Sequence, residues 1–180
     1  MRRTAVVAAA LTAAALAACG GYKEFRVSQA PTEPLRNFGS FEVVPFTVDG
    51  LEQLESRKQA NARETAAFIT GELVERLKDE EFFVKGGKKI KIEGRLVGFN
   101  PGSQALRYFV GAGAGEGEIA VEVTFMNDSG GAVAKGFAIG TVHGGMYGGT
   151  TRSASKRLIK AIVNFIDDNY DEVTSVATTP

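Results

Sequence analysis

"EIAVEVTFMNDSGGAVAKGFAIGTV", Glu118–Val142, holds the pattern from which the fold is read. Ile119, Val121, Val123 and Phe125 alternate with Glu118, Ala120, Glu122 and Thr124. A period of two puts successive side chains on opposite faces, so this is a strand with one wet face. "NDSGG", Asn127–Gly131, supplies the turn residues of a hairpin. A further strand follows over Val133–Val142, and its two faces are unlike. One carries Val133, Lys135, Phe137 and Ile139, and the other Ala134, Gly136, Ala138 and Gly140.

Upstream, Ile90, Ile92, Gly94 and Leu96 alternate with Lys89, Lys91, Glu93 and Arg95, which predicts another strand. Before it the period changes. Ala62, Ala66, Ile69, Leu73 and Leu77 recur at three and four residues, one face of an amphipathic helix over Leu51–Lys78, with Asp49 as its N-cap. Phe82 and Phe83 follow and are expected against the core. "FGSFEVVPFTV" predicts a strand over Phe38–Phe46 with Pro45 at its end or on an edge. A last helix is predicted over Thr151–Tyr170, with Leu158, Ile162 and Phe165 on one side and Ile159, Val163 and Ile166 beside them. The order β-α-β-β-β-α implies an α+β fold: a mostly antiparallel sheet of about four strands with two helices on one face. The predicted core joins Ile69, Leu73, Val121, Val123, Phe137, Leu158 and Ile162.

The start of the chain has a different composition. Arg2 and Arg3 precede an apolar run, Ala5–Ala18, which suits the h-region of a secretory signal and is short of the ~20 residues of a membrane span. The chain's single cysteine, Cys19, has no intramolecular disulfide partner. "LAAC", Leu16–Cys19, resembles the lipobox of bacterial lipoproteins. That resemblance implies cleavage between Ala18 and Cys19, acylation of Cys19, and a membrane held through the lipid. Gly20 stands where lipoproteins kept in the inner membrane often carry Asp, so the same resemblance implies the outer membrane, facing the periplasm. The expected organisation is a signal peptide over 1–18, a flexible tether over 19–37, one domain over 38–171 and a disordered tail over 172–180.

Charge excludes little but argues against nucleic acid. Lys+Arg and Asp+Glu are both 21, and losing Arg2 and Arg3 leaves the mature chain slightly acidic, not basic. "GAGAGEG", Gly111–Gly117, leads into a strand, whereas a dinucleotide-binding glycine loop opens a helix. It is read as a supple connection. The second glycine loop, Gly144–Gly149, does open a helix, so Gly148, Gly149, Thr150 and Thr151 form a weak candidate anion site, with simple capping by Thr150 or Thr151 as the plainer reading. His143 is the only histidine, and no Cys/His cluster exists for a metal. Ser153 and Ser155 lack the partner base that a nucleophile needs. "KGGKKIK", Lys85–Lys91, is a small basic cluster expected to be balanced by Asp79, Glu80 and Glu81. No enzyme, cofactor or metal is expected.

"IEGRLVGFNPGSQALRYFVGAGAGEGEIAVEVTFMNDSGG", Ile92–Gly131, with Gly94, Gly102, Arg107, Gly117 and Asp128, resembles the bacterial lipoprotein family catalogued as domain of unknown function 4410. The resemblance covers about Phe38–Asp171 and implies a small α+β periplasmic domain without an established activity. The element order also resembles periplasmic lipoproteins that bind envelope partners, and the N-terminal domain of the translocation protein TolB, at the level of fold. The expected function is a non-catalytic, membrane-tethered interaction or envelope-assembly module with an envelope protein partner. Its expected contact surface is the Ala134, Gly136, Ala138 and Gly140 face, where small residues permit close approach. The alternatives are a small-molecule or lipid carrier with glycine-rich lids, and a subunit of an oligomeric envelope channel.

Overall fold

The computed structural model describes residues 23–50, 52, 54–80, 82–83, 87–98, 118–141 and 150–171. Six strands, β1 (Lys23–Gln29), β2 (Phe38–Val43), β3 (Thr47–Val48), β4 (Lys88–Gly98), β5 (Glu118–Asn127) and β6 (Ala132–Thr141), form one mixed sheet. Two helices, α1 (Ser56–Asp79) and α2 (Thr151–Asp168), pack on one face of it. The sheet order is β1-β6-β5-β4-β2, with β3 also on β4. The fold is α+β with two helices, as expected, but the sheet has six strands, not about four, and two of them run parallel to β4.

The hairpin β5–β6 forms where its turn residues demand. Asn127 Oδ1 accepts from the amides of Ser129 at 3.1 Å and Gly131 at 2.8 Å. Gly130 takes φ of +80°, a conformation that costs glycine little. The alternating apolar residues of β4 and β5 all face the helices: Ile90, Ile92 and Leu96 with Ile119, Val121, Val123 and Phe125 are buried.

The single strand expected over Phe38–Phe46 is interrupted at Val44–Phe46. β2 and β3 both pair parallel to β4, at Val43↔Ile92 and Thr47↔Arg95. Pro45 lies between them, exposed, as its missing N–H requires. A parallel pair needs a crossover, and α1 is that crossover. The Phe46 ring sits over Gly94, where a Cβ would overlap it, and the Phe46 amide donates to Thr70 Oγ1 of α1 at 3.0 Å.

α1 starts at Ser56, five residues later than expected, with Glu55 and not Asp49 at its N-cap. Asp49 belongs to the sheet edge instead. Its amide donates to the Leu96 carbonyl at 2.9 Å, its carboxylate pairs with Arg95 at 3.1 Å, and Gly50 at φ +59° turns the chain away from helix. The predicted helix face is correct: Ala62, Ala66, Ile69, Leu73 and Leu77 are buried. Phe82 packs on Tyr170, with centroids 5.5 Å apart, and Phe83 on Phe41 at 5.2 Å.

Much of the segment expected as a tether, 19–37, is folded. β1 pairs antiparallel with β6 from Lys23↔Gly140 to Gln29↔Lys135. Phe25 stacks on Phe165 of α2 at 4.1 Å, and Leu35 is fully buried. The amides of Leu35 and Arg36 donate to the carbonyls of Asn169 and Tyr170 at 3.0 Å, which fixes the end of α2. β1 escapes a sequence reading because only Phe25 and Val27 alternate inward, and two residues are too few to establish a period.

Candidate functional site

The small-residue face of β6 is not a free surface. Ala134 and Ala138 are fully buried in the same core as Ala154, Leu158 and Ile162 of α2. A Cβ at Gly140 would overlap the Ala154 carbonyl oxygen, and one at Gly136 would overlap the Phe25 ring and lie 2.6 Å from the Arg26 carbonyl oxygen. The small residues exist to seat α2 and Phe25 close to the strand, so the expected contact surface is corrected to an internal packing surface. Of the bulky residues, Val133 sits at a bulge and joins the helix-side core, while Phe137 and Ile139 point the other way. Phe137 and Ile139 form a separate buried cluster with Val97 and Ala120. Phe137 therefore leaves the predicted core, whose other six members lie together between sheet and helices.

Thr150 is the N-cap of α2. Its Oγ1 accepts from the Ser153 amide at 3.3 Å, while Ser153 Oγ accepts from the Thr150 amide at 2.9 Å, a reciprocal box. The plainer capping reading thus describes Thr150, and Thr151 uses its carbonyl to accept from Ser155 Oγ. Gly148, Gly149 and His143 lie outside the described residues, as do Ala18, Cys19, Arg107 and the loop Gly111–Gly117.

The lysines of the basic cluster that are described find their partners elsewhere than in the turn before them. Lys88 pairs with Glu33 at 3.2 Å, Lys89 with Glu42 of β2 at 2.8 Å and Lys91 with Glu93 of its own strand at 2.8 Å. The hydrogen bond and charge of Lys89 hold the Glu42 carboxyl below its ordinary range, and Glu42 in turn raises Lys89. Arg95 is raised chiefly by its hydrogen bonds to Glu122, the shorter of them 2.7 Å, and also meets Asp49. On this face of the sheet, away from the helices, Lys89, Lys91 and Arg95 thus lie in ion pairs beside the buried cluster of Val97, Ala120, Phe137 and Ile139.

The helix layer differs. α1 and α2 pack side by side, and an open groove of about 350 Å³ runs between Glu72, Arg76 and Glu80 of one and Lys156, Arg157 and Lys160 of the other. Arg157 Nη1 donates to the Thr141 carbonyl at 3.1 Å, which holds one cation at the end of the sheet. Asn164 closes the row. With its side-chain amide turned so that the oxygen faces Lys23, the orientation that satisfies both groups, its Nδ2 donates to the Lys160 carbonyl at 3.1 Å and its Oδ1 accepts from Lys23 Nζ at 3.0 Å. The sequence reading placed Arg76 on the polar face of α1 and Lys156 and Arg157 beside the glycine loop, but it had no means of knowing that the two helices lie together. Among the described residues no three His, Cys, Asp or Glu residues are placed to hold a metal ion, and no helix is long and apolar enough to cross a membrane.

Residues 24–145 match the family described as Domain of unknown function (DUF4410). The chain belongs to that family. The DUF4410 match begins within β1, in keeping with a domain that includes this strand. Among solved structures the chain is similar to a dodecamer of a PelC point variant from Paraburkholderia phytofirmans, at 12% identity and a TM-score of 0.45, over 80% of this chain and 97% of that one. No curated protein matches the chain.

Proposed function

We propose that this DUF4410 chain is a non-catalytic envelope module, acylated on Cys19, held on the outer membrane facing the periplasm and engaged there with a protein partner. The observation that carries the reading is the leader itself: Arg2 and Arg3, the apolar run Ala5–Ala18, and "LAAC" ending on the single cysteine. The structure adds a geometric support. β1 starts at Lys23, four residues beyond Cys19, and is paired into the sheet. Four extended residues span at most ~14 Å. An acylated Cys19 therefore holds the domain against the bilayer and does not let it roam. Several acyl chains on one residue anchor firmly, since each buried CH₂ contributes about 0.8 kcal/mol. With the Ala/Gly face of β6 covered, the partner surface moves to the half-exposed pairs of the outer sheet face, Lys91–Glu93 and Arg95–Glu122.

Cys19→Ser is the test. The serine variant is expected to leave the membrane fraction and to accumulate uncut at Ala18. A serine variant that still partitions with membranes and matures normally removes the anchor. Crosslinking from native envelopes with the lipid retained then identifies the partner, and Arg95→Glu should weaken that crosslink.

A further inference from the structure

We infer that the groove between α1 and α2 receives the phosphate of an anionic lipid headgroup, supplied by the bilayer that carries Cys19. The inference rests on the acylated-Cys19 reading for its source of ligand and on the groove itself for its chemistry. Four cations, Arg76, Lys156, Arg157 and Lys160, face two carboxylates, Glu72 and Glu80, so the groove is net positive in a chain that is not. On the sheet, Lys88, Lys89, Lys91 and Arg95 are each neutralised by a carboxylate. Arg76, Lys156 and Lys160 form no such pair among the described residues. An anion here gains charge-assisted hydrogen bonds without displacing an internal partner. Ile159 and Val163 line the same groove and suit the glycerol and first methylenes beyond a phosphate.

Position selects the source. Lys23 reaches Asn164, which lines the groove, and Lys23 is the residue tied to Cys19 by at most ~14 Å of chain. Attraction between exposed charges and a bilayer fades within a Debye length of about 8 Å at physiological salt. Only cations at the anchored edge of the domain can use it, and this groove is at that edge. Its volume of about 350 Å³ lies at the small end of ligand sites, which fits a headgroup better than a whole lipid.

The test uses the full mature lipoprotein in neutral detergent, analysed by native mass spectrometry with three probes: phosphatidylglycerol, phosphatidylcholine of the same chains, and glycerol phosphate. Phosphatidylglycerol should be retained over phosphatidylcholine. Lys156→Gln/Lys160→Gln should weaken that retention roughly thirtyfold, at roughly fivefold per charge near the membrane surface. Lys89→Gln/Lys91→Gln, on the opposite face, should change it little. Lys89, Lys156 and Lys160 are exposed and Lys91 is half-buried, and matching melting curves check that the variants fold. Arg76→Gln, on the other helix, gives an independent arm, with a loss of roughly fivefold. Equal retention of phosphatidylcholine, or unchanged retention in both groove variants, overturns the proposal. Glycerol phosphate binding as tightly as phosphatidylglycerol assigns the groove to a free phosphate ester and overturns the lipid source. The intact mass from the same spectra reports the acyl chains on Cys19, so loss of the anchor reading is seen separately from loss of the groove.

Discussion

Replacing Gly140 by alanine adds one methyl group where α2 comes closest to the sheet. A Cβ at this position overlaps the Ala154 carbonyl oxygen and stands 2.9 Å from the Leu158 nitrogen, while ordinary contact begins at 3.4 Å. Both atoms are backbone of α2, so neither can rotate away; helix and strand must separate by about 1 Å, and a gap of that size forfeits a quarter to a half of the dispersion attraction across it. Leu158, fully buried at this contact, makes on the order of 50 atomic contacts at roughly 0.15 kcal/mol each, so about 2–4 kcal/mol is lost. The reduced freedom of alanine in the unfolded chain returns about 0.5–1 kcal/mol. The net cost is about 1–3.5 kcal/mol, close to the range for overpacked cores. Urea unfolding followed by far-ultraviolet circular dichroism should show a lower midpoint at unchanged slope. The melting temperature should fall by roughly 3–10 °C. Gly71→Ala is the opposing control: this glycine is exposed within α1 with nothing within 4 Å of its Cβ position, and alanine there should stabilise by about 0.5–1 kcal/mol. A Gly140→Ala protein within about 0.5 kcal/mol of wild type would refute the seating of α2 on β6 and reopen the small-residue face as a surface.

Phe25→Ala should cost about 3 kcal/mol, because the ring stacks on Phe165 at 4.1 Å and meets Phe125 at 6.5 Å; an unmoved thermal melt would return this segment to a tether. Glu33 accepts from Asn37 Nδ2 at 2.9 Å and pairs with Lys88, and these contacts, Asn37 first, hold its carboxyl below the ordinary value of 4.5. A carboxyl lowered on folding contributes stability above its unfolded pKa and loses it as pH falls through the folded one. The stability gap between wild type and Glu33→Gln should therefore shrink from about pH 7 to about pH 3, and a gap constant across urea titrations at both ends removes the interaction.

What was legible in the sequence was whatever repeats. The two-residue alternation of β4 and β5 named every helix-facing residue correctly, and the three-four spacing from Ala62 to Leu77 named the buried face of α1. Local turn chemistry was equally plain at Asn127–Gly131. β6 exposed the limit of this method. Its period held from Ala134 to Gly140 but broke at Val133, which a bulge between Ala132 and Ala134 turns into the helix-side core, and a strand buried on both faces gives few polar residues by which to tell inside from outside. Lys135 sits on the same side as Phe137 and Ile139, and this was the available hint that the bulky face points away from the helices. Parallel pairing of β2 and β3 with β4 was hidden for another reason: register between strands that α1 separates is set by packing, not by any local signal.

β1 joins these structural corrections to function. Treated as a tether, the first residues after Cys19 would leave the domain free to face the membrane in any orientation. With β1 hydrogen-bonded to β6 from Lys23 onward and Phe25 under α2, the folded domain begins four residues after Cys19. On the proposed acylation of Cys19, so short a span of at most ~14 Å would limit which sides of the domain can meet the bilayer. The cations of Lys156, Arg157 and Lys160 lie on the helix layer, which Lys23 joins through Asn164, and the pairs Lys91–Glu93 and Arg95–Glu122 lie on the outer sheet face. An anchor that can rotate needs no charge asymmetry in the domain behind it, whereas a stiff one makes asymmetry effective. On the proposed lipid anchor, lengthening the chain between Cys19 and Lys23 separates two contributions: the acyl chains should still keep the protein on the membrane, while the groove should lose its dependence on anionic lipid as added residues let it stand further than a Debye length of about 8 Å from the surface.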